Sequence, residues 1–119
     1  MRKFTVVVTR TDEYEIEVDD TIYNDAWRAD FKKSFWPVSG PRDVACNLAG
    51  HQARHGSGDS FIEGYGEVTR DGKLPYSPAD FDKKGKLLPE DKRRQAVPGL
   101  NIIIVDEDND IEFDVTEIK

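Results

Sequence analysis

The chain has 119 residues, 37% of them apolar and 34% charged, and a formal net charge of −7, which fits one domain over 1–119 with a thin core. A single cysteine, Cys46, excludes an internal disulfide and points to a reducing, cytoplasmic setting. No apolar run reaches the ~20 residues of a membrane span, and the start MRKFTVVVTR lacks the apolar stretch and cleavage site of a signal peptide.

Residues 4–9 (FTVVVT) are β-branched and continuous, which predicts a central strand buried on both faces. After Arg10, Thr11 and Asp12, residues 14–18 alternate, placing Tyr14, Ile16 and Val18 inward and Glu15 and Glu17 outward. The short connection predicts an antiparallel hairpin between these two strands. Tyr23, Trp27, Phe31 and Phe35 then recur every four residues, the stripe of an amphipathic helix. Asn24 or Asp20 can cap its start, and Pro37 ends it. Pro41 suits the first turn of a second helix with Val44, Ala45, Leu48 and Ala49 on its buried side, closed by Gly56.

Residues 61–68 (FIEGYGEV) read as a strand whose Gly64 and Gly66 leave one face bare for a close neighbour. Residues 75–98 form a charged, proline-containing excursion with six of the seventeen basic residues. Residues 100–105 (LNIIIV) read as a buried strand. A turn within 106–110 leads to a closing strand with Ile111, Phe113 and Val115 inward. The order β-β-α-α-β-β-β predicts an α+β fold: a mostly antiparallel sheet of about five strands with two helices packed on one face.

Acid is concentrated in two segments without Lys or Arg. Residues 12–20 carry six carboxylates and residues 106–117 carry seven, so these segments hold −13 and the remainder of the chain is +6. The candidate surface is therefore Asp12, Glu13, Glu15, Glu17, Asp19, Asp20, Asp106, Glu107, Asp108, Asp110, Glu112 and Asp114. Outward residues on a strand repeat every ~6.8 Å. Two acidic rows side by side would approach the one charge per ~3.4 Å of a DNA strand.

Other chemistry fits less well. Asp106, Asp108, Asp110, Glu112, Asp114 and Glu117 match the ligand spacing of a calcium loop, but Ile111 stands where its turn needs glycine. His51 and His55 share a helix face, yet Gln52 replaces the glutamate a zinc-protease helix uses, and a surface pair is the expected role. Cys46 is expected as a small buried thiol. The Gly64/Gly66 pair matches no phosphate-loop pattern. The basic residues from Lys83 to Arg94 are interleaved with Asp82, Glu90 and Asp91, as in a solvated loop.

The expected protein is a small, non-catalytic, acidic protein-binding module with no cofactor and no metal. Its expected partner is a basic or nucleic-acid-binding protein, with no direct nucleic-acid or membrane contact. In size and charge the chain resembles the small acidic anti-defence proteins of phages and mobile elements, including anti-CRISPR proteins. That resemblance implies inhibition by occupying a basic groove as a DNA mimic. The alternatives are a metal-dependent protein or enzyme using His51 and His55, or a self-associating structural subunit.

Overall fold

The computed structural model describes residues 1–58, 60–107 and 111–119. Asn24 starts α1 (Asp25–Ser34), its side-chain oxygen accepting the Trp27 amide at 3.0 Å and satisfying a donor that the helix start leaves open. Pro41 opens α2 (Pro41–His55), and Gly56 follows it at φ +69°, a left-handed conformation that favours glycine. The strands are β1 (Lys3–Thr9), β2 (Asp12–Val18), β3 (Phe61–Ile62), β4 (Gly66–Glu67), β5 (Thr69–Arg70), β6 (Leu100–Glu107) and β7 (Glu112–Ile118). The fold is α+β, with strands that are mostly antiparallel.

Strand pairing departs from expectation at both ends of the chain. β1 does not fold back on β2. Instead β2 pairs antiparallel with β6, and β1 pairs antiparallel with β7. The physical reason lies in Arg10 and Thr11. A two-residue hairpin needs left-handed backbone, as Gly or Asn supply, and neither residue has positive φ. The chain therefore runs on from β1 to β2. β6 and β7 likewise belong to different pairs, and the turn expected within 106–110 falls largely on 108–110, outside the described residues.

Burial divides the molecule accordingly. Tyr23, Phe31, Val38, Val44, Leu48, Ile62, Tyr65, Val68, Leu100 and Ile102 form the core, with Tyr14, Ile16, Val18, Trp27 and Val97 packed around it. α2 lies across β2. In β2 the expected alternation holds, with Tyr14, Ile16 and Val18 half-buried and Glu15 and Glu17 exposed. β1, expected to be buried on both faces, is exposed along its whole length, as are Ile111, Phe113 and Val115. Among the described residues no helix packs on the β1–β7 pair, so its apolar side chains stay open. It projects as a ribbon. The Cα radius of gyration is 18.7 Å, against about 14 Å for a compact chain of this length.

Residues 61–68 also differ from expectation, forming a tight hairpin rather than one strand. Ile62 pairs with Gly66 across a turn in which the Tyr65 amide donates to the Ile62 carbonyl at 2.9 Å. Gly64 has φ +86°, and a Cβ there would lie 2.6 Å from the Phe31 ring. The bare position thus accommodates α1's central aromatic. β5 joins the far side of β6 in parallel. Ala45 and Ala49 are only half-buried, and Gln52, at the next step of the Val44–Leu48 stripe, is fully buried. Its side-chain oxygen accepts from Arg70 Nε at 2.6 Å, so the polar group is satisfied in the interior.

The 75–98 excursion is anchored by Arg94. Its guanidinium donates to Asp80 at 2.7 and 3.2 Å, to Glu67 at 2.8 Å, to Ser60 Oγ at 2.6 Å and to the Pro75 carbonyl at 2.5 Å. Asp80 is buried, and the Arg94 hydrogen bond, followed by the Ser77 amide, holds its carboxyl well below the usual range. One of the excursion's cations is thus turned inward.

Candidate functional site

Period-two geometry sends every second residue of β2 to the outer side, and the sequence places glutamate at each of these positions: Glu13, Glu15 and Glu17 form one exposed row. Across from it on β6 stand Asp106, Ile103 and Asn101. Asn101 donates to Glu17 at 2.7 Å. The acidic row is therefore single over most of its length, with about one charge per 6.8 Å. It becomes double where Asp106 faces Glu13.

The two acidic segments meet at that end. Register places Asp12 opposite Glu107 and Glu13 opposite Asp106, two pairs of like charge. Such pairs destabilise a sheet by some tenths of a kcal/mol each. Arg10 offsets one of them, its Nε donating to Asp12 at 3.0 Å and its Nη2 lying 3.8 Å from Glu107. The Tyr14 hydroxyl donates to Glu107 at 3.0 Å. Burial, with Glu107 adding to it, pushes the Tyr14 phenol up to about 12.

The remaining candidate carboxylates are elsewhere. Asp19 is part of a turn: its Oδ1 accepts from the Thr21 hydroxyl at 2.6 Å and from the Thr21 amide at 2.9 Å. Those bonds hold its carboxyl below the ordinary aspartate value. Asp20 is exposed beside it. Glu112 and Asp114 are exposed on β7, opposite Thr9 and Val7. Asp108 and Asp110 lie outside the described residues. Because β2 neighbours β6 and β7 neighbours β1, the two acidic segments do not run side by side as parallel rows.

The histidine face is also formed. His51 and His55 have ring centroids 4.6 Å apart on α2 and line a cavity of about 270 Å³ with Trp36, Cys46, Arg54 and Tyr65. Cys46 is exposed, because it lies off the Val44–Leu48–Gln52 stripe that meets the core. Among the described residues, no group of three or more His, Cys, Asp or Glu side chains could hold a metal ion. In the basic excursion, Arg93 donates to the Leu88 carbonyl at 2.8 Å and Arg94 is enclosed, whereas Lys83, Lys84, Lys86 and Lys92 are exposed.

Sequence reasoning missed the ribbon's open apolar face. Register puts Phe4, Val6 and Val8 of β1 on one side with Val115 and Phe113 of β7. The alternation of 113 and 115 was visible, but the unbroken run Val6-Val7-Val8 concealed its counterpart. No helix of the described residues is long and apolar enough to cross a membrane. No protein-family profile, curated protein or solved structure matches the chain.

Proposed function

We propose that the chain is a non-catalytic acidic module that binds a basic partner, acting as an inhibitor by occupying that partner's nucleic-acid groove. The observation that carries this reading is the Glu13–Glu15–Glu17 row. It is mounted on a strand whose opposite side is packed on the core, and Asp106 doubles it at Glu13. Acid fixed on a paired strand keeps its spacing when a partner approaches, so little order has to be created on binding. The row has roughly half the linear charge density of a DNA strand. That density suits a line of Lys and Arg side chains in a groove, not a full replica of duplex charge.

The test is capture from a bacterial lysate on immobilised protein at ~0.1 M salt, repeated at ~0.5 M. A basic or nucleic-acid-binding protein should be retained at the lower ionic strength and released at the higher one. The double variant Glu15→Lys, Glu17→Lys should lose it, and Glu112→Lys, Asp114→Lys on the ribbon should not. Retention by the β2 variant, or the absence of any basic protein in the eluate, contradicts the reading.

A further inference from the structure

The ribbon offers a second contact surface, which shares with the acidic row only its Glu13–Asp106 end. Its polar side carries Lys3, Thr5, Val7 and Thr9 with Ile118, Thr116, Asp114 and Glu112 opposite them. Its other side carries Phe4, Val6, Val8, Phe113 and Val115, which are 47, 49, 55, 66 and 55% exposed, with Glu117 opposite Phe4 at the end of the row. Side chains of these sizes leave on the order of 450 Å² of apolar surface open. A patch of that extent matches the largest found on ordinary monomers, about 300–600 Å², which is often functional. An isolated two-stranded ribbon is also marginal in water and needs a further layer.

We propose that the layer is the same ribbon of a second copy, packed face to face and antiparallel about a two-fold axis near Val6 and Val8. The charge along the ribbon chooses this occupant. Arg2, Lys3 and Lys119 lie at its tip, where Arg2 pairs with Glu117 at 2.8 Å and sits over the Phe4 ring at 5.3 Å. Asp12, Glu13, Asp106 and Glu107, on the β2 and β6 ends that lead from its base, have Arg10 beside Asp12 and Glu107. The tip is basic and the base is acidic. An antiparallel two-fold brings each tip to the other copy's base, satisfying both ends at once, as an isologous interface requires. A parallel arrangement sets acid on acid.

The size of the patch sets the strength. Stable interfaces bury ~800 Å² per partner, which the apolar side alone does not reach. The charged ends must contribute, so the dimer is modest in affinity and sensitive to salt. Packing through the ribbon's outer edges would leave the apolar side open, which is why the face is assigned rather than the edge.

Sedimentation equilibrium across a concentration series tests the proposal. The wild-type chain should dimerise at tens of micromolar in ~0.05 M salt, with a dissociation constant at least ~10-fold larger at 0.5 M. Val6→Lys and Phe113→Lys, on a surface already exposed, should stay folded by circular dichroism and be monomeric throughout. Arg2→Glu and Glu107→Lys should each weaken self-association, yet an equimolar mixture of the two should form heterodimers, because each remaining tip then meets a base of opposite charge. A wild-type chain that is monomeric at ~1 mM overturns the proposal, as does a dimer untouched by Val6→Lys and Phe113→Lys. If the mixture shows no preference for the heterodimer, the antiparallel arrangement is wrong.

Discussion

β6 and β1 are two strands of nearly the same composition with opposite fates. β6 begins Leu-Asn-Ile-Ile-Ile, and its Leu100 and Ile102 are buried; β1 contains Phe-Thr-Val-Val-Val and is exposed throughout. The difference does not lie in either strand. β6 is flanked by β2 on one side and β5 on the other, and α2 crosses β2. Among the described strands, β1 pairs with β7 alone. A run of β-branched residues therefore specifies a strand, while its burial depends on which elements the topology brings over it.

The largest expected effect probes the body. Leu48, fully buried on α2, should lose about 2–5 kcal/mol on replacement by alanine, measured by urea denaturation. A cost below about 1 kcal/mol would mean that the α2 seam is no better packed than the ribbon, and the contrast between the two regions would collapse. Gly64→Ala comes next. The new Cβ would meet the Phe31 ring at 2.6 Å, and the φ of +86° is already unfavourable for alanine. Overpacking and backbone strain together should cost about 2–3 kcal/mol. At Gly85, where φ is +80° and the space is open, only the backbone part remains, about 1 kcal/mol.

Acid sharpens the comparison further. Asp80 in the body and Glu117 on the ribbon are both held below their ordinary values by an arginine, Arg94 and Arg2 respectively. In each case the folded state binds the proton less readily than the unfolded chain. The stabilisation is thus present above the ordinary carboxylate range and is lost as pH falls through it towards the folded value. Asp80 is buried, and its partner Arg94 also holds Ser60, Glu67 and the Pro75 carbonyl, whereas the Arg2–Glu117 pair is exposed and screened. Thermal melts between pH 5 and pH 2.5 should show a shallower loss of stability for Asp80→Asn than for wild type, and no change of slope for Glu117→Gln. Equal slopes for wild type and Asp80→Asn would remove the Arg94 network as an anchor of the excursion.

Local signals made the helices readable. Asn24, Pro41 and Gly56 mark their ends, and the Tyr23–Trp27–Phe31 stripe does pack, with ring centroids 4.9 and 4.6 Å apart. The alternation of β2 was equally plain. The partners of the terminal strands were not, because β1 and β7 meet across more than a hundred residues and no local pattern encodes that pairing. One clue was present: Arg10-Thr11 lacks the chemistry of a tight turn. The acidic surface was legible as residues but not as an arrangement. Placing Glu13 against Asp106, and Asp114 away from both, required the register. Gln52 and Arg94 gave no signal, since a polar residue on an apolar stripe and an arginine in a charged loop both look solvated until their partners, Arg70 and Asp80, are located.

The smallest expected effect is the most discriminating. Val8 is 55% exposed and faces Phe113 across the ribbon. Val8→Thr keeps the β-branch and the strand preference and exchanges one γ-methyl for a hydroxyl. In a ribbon open to water the hydroxyl is solvated, so stability should change by less than about 0.5 kcal/mol at low micromolar protein. At high concentration the same hydroxyl would be enclosed between two apolar faces without a hydrogen-bond partner, costing about 1–3 kcal/mol. Denaturation of wild type and Val8→Thr at two protein concentrations a hundredfold apart therefore separates the two situations. Wild-type stability should rise with concentration, as association with the folded state requires, and the variant's should not. Identical behaviour at both concentrations would leave the ribbon a solvated appendage, and a full penalty even at the lower one would mean that something already covers it.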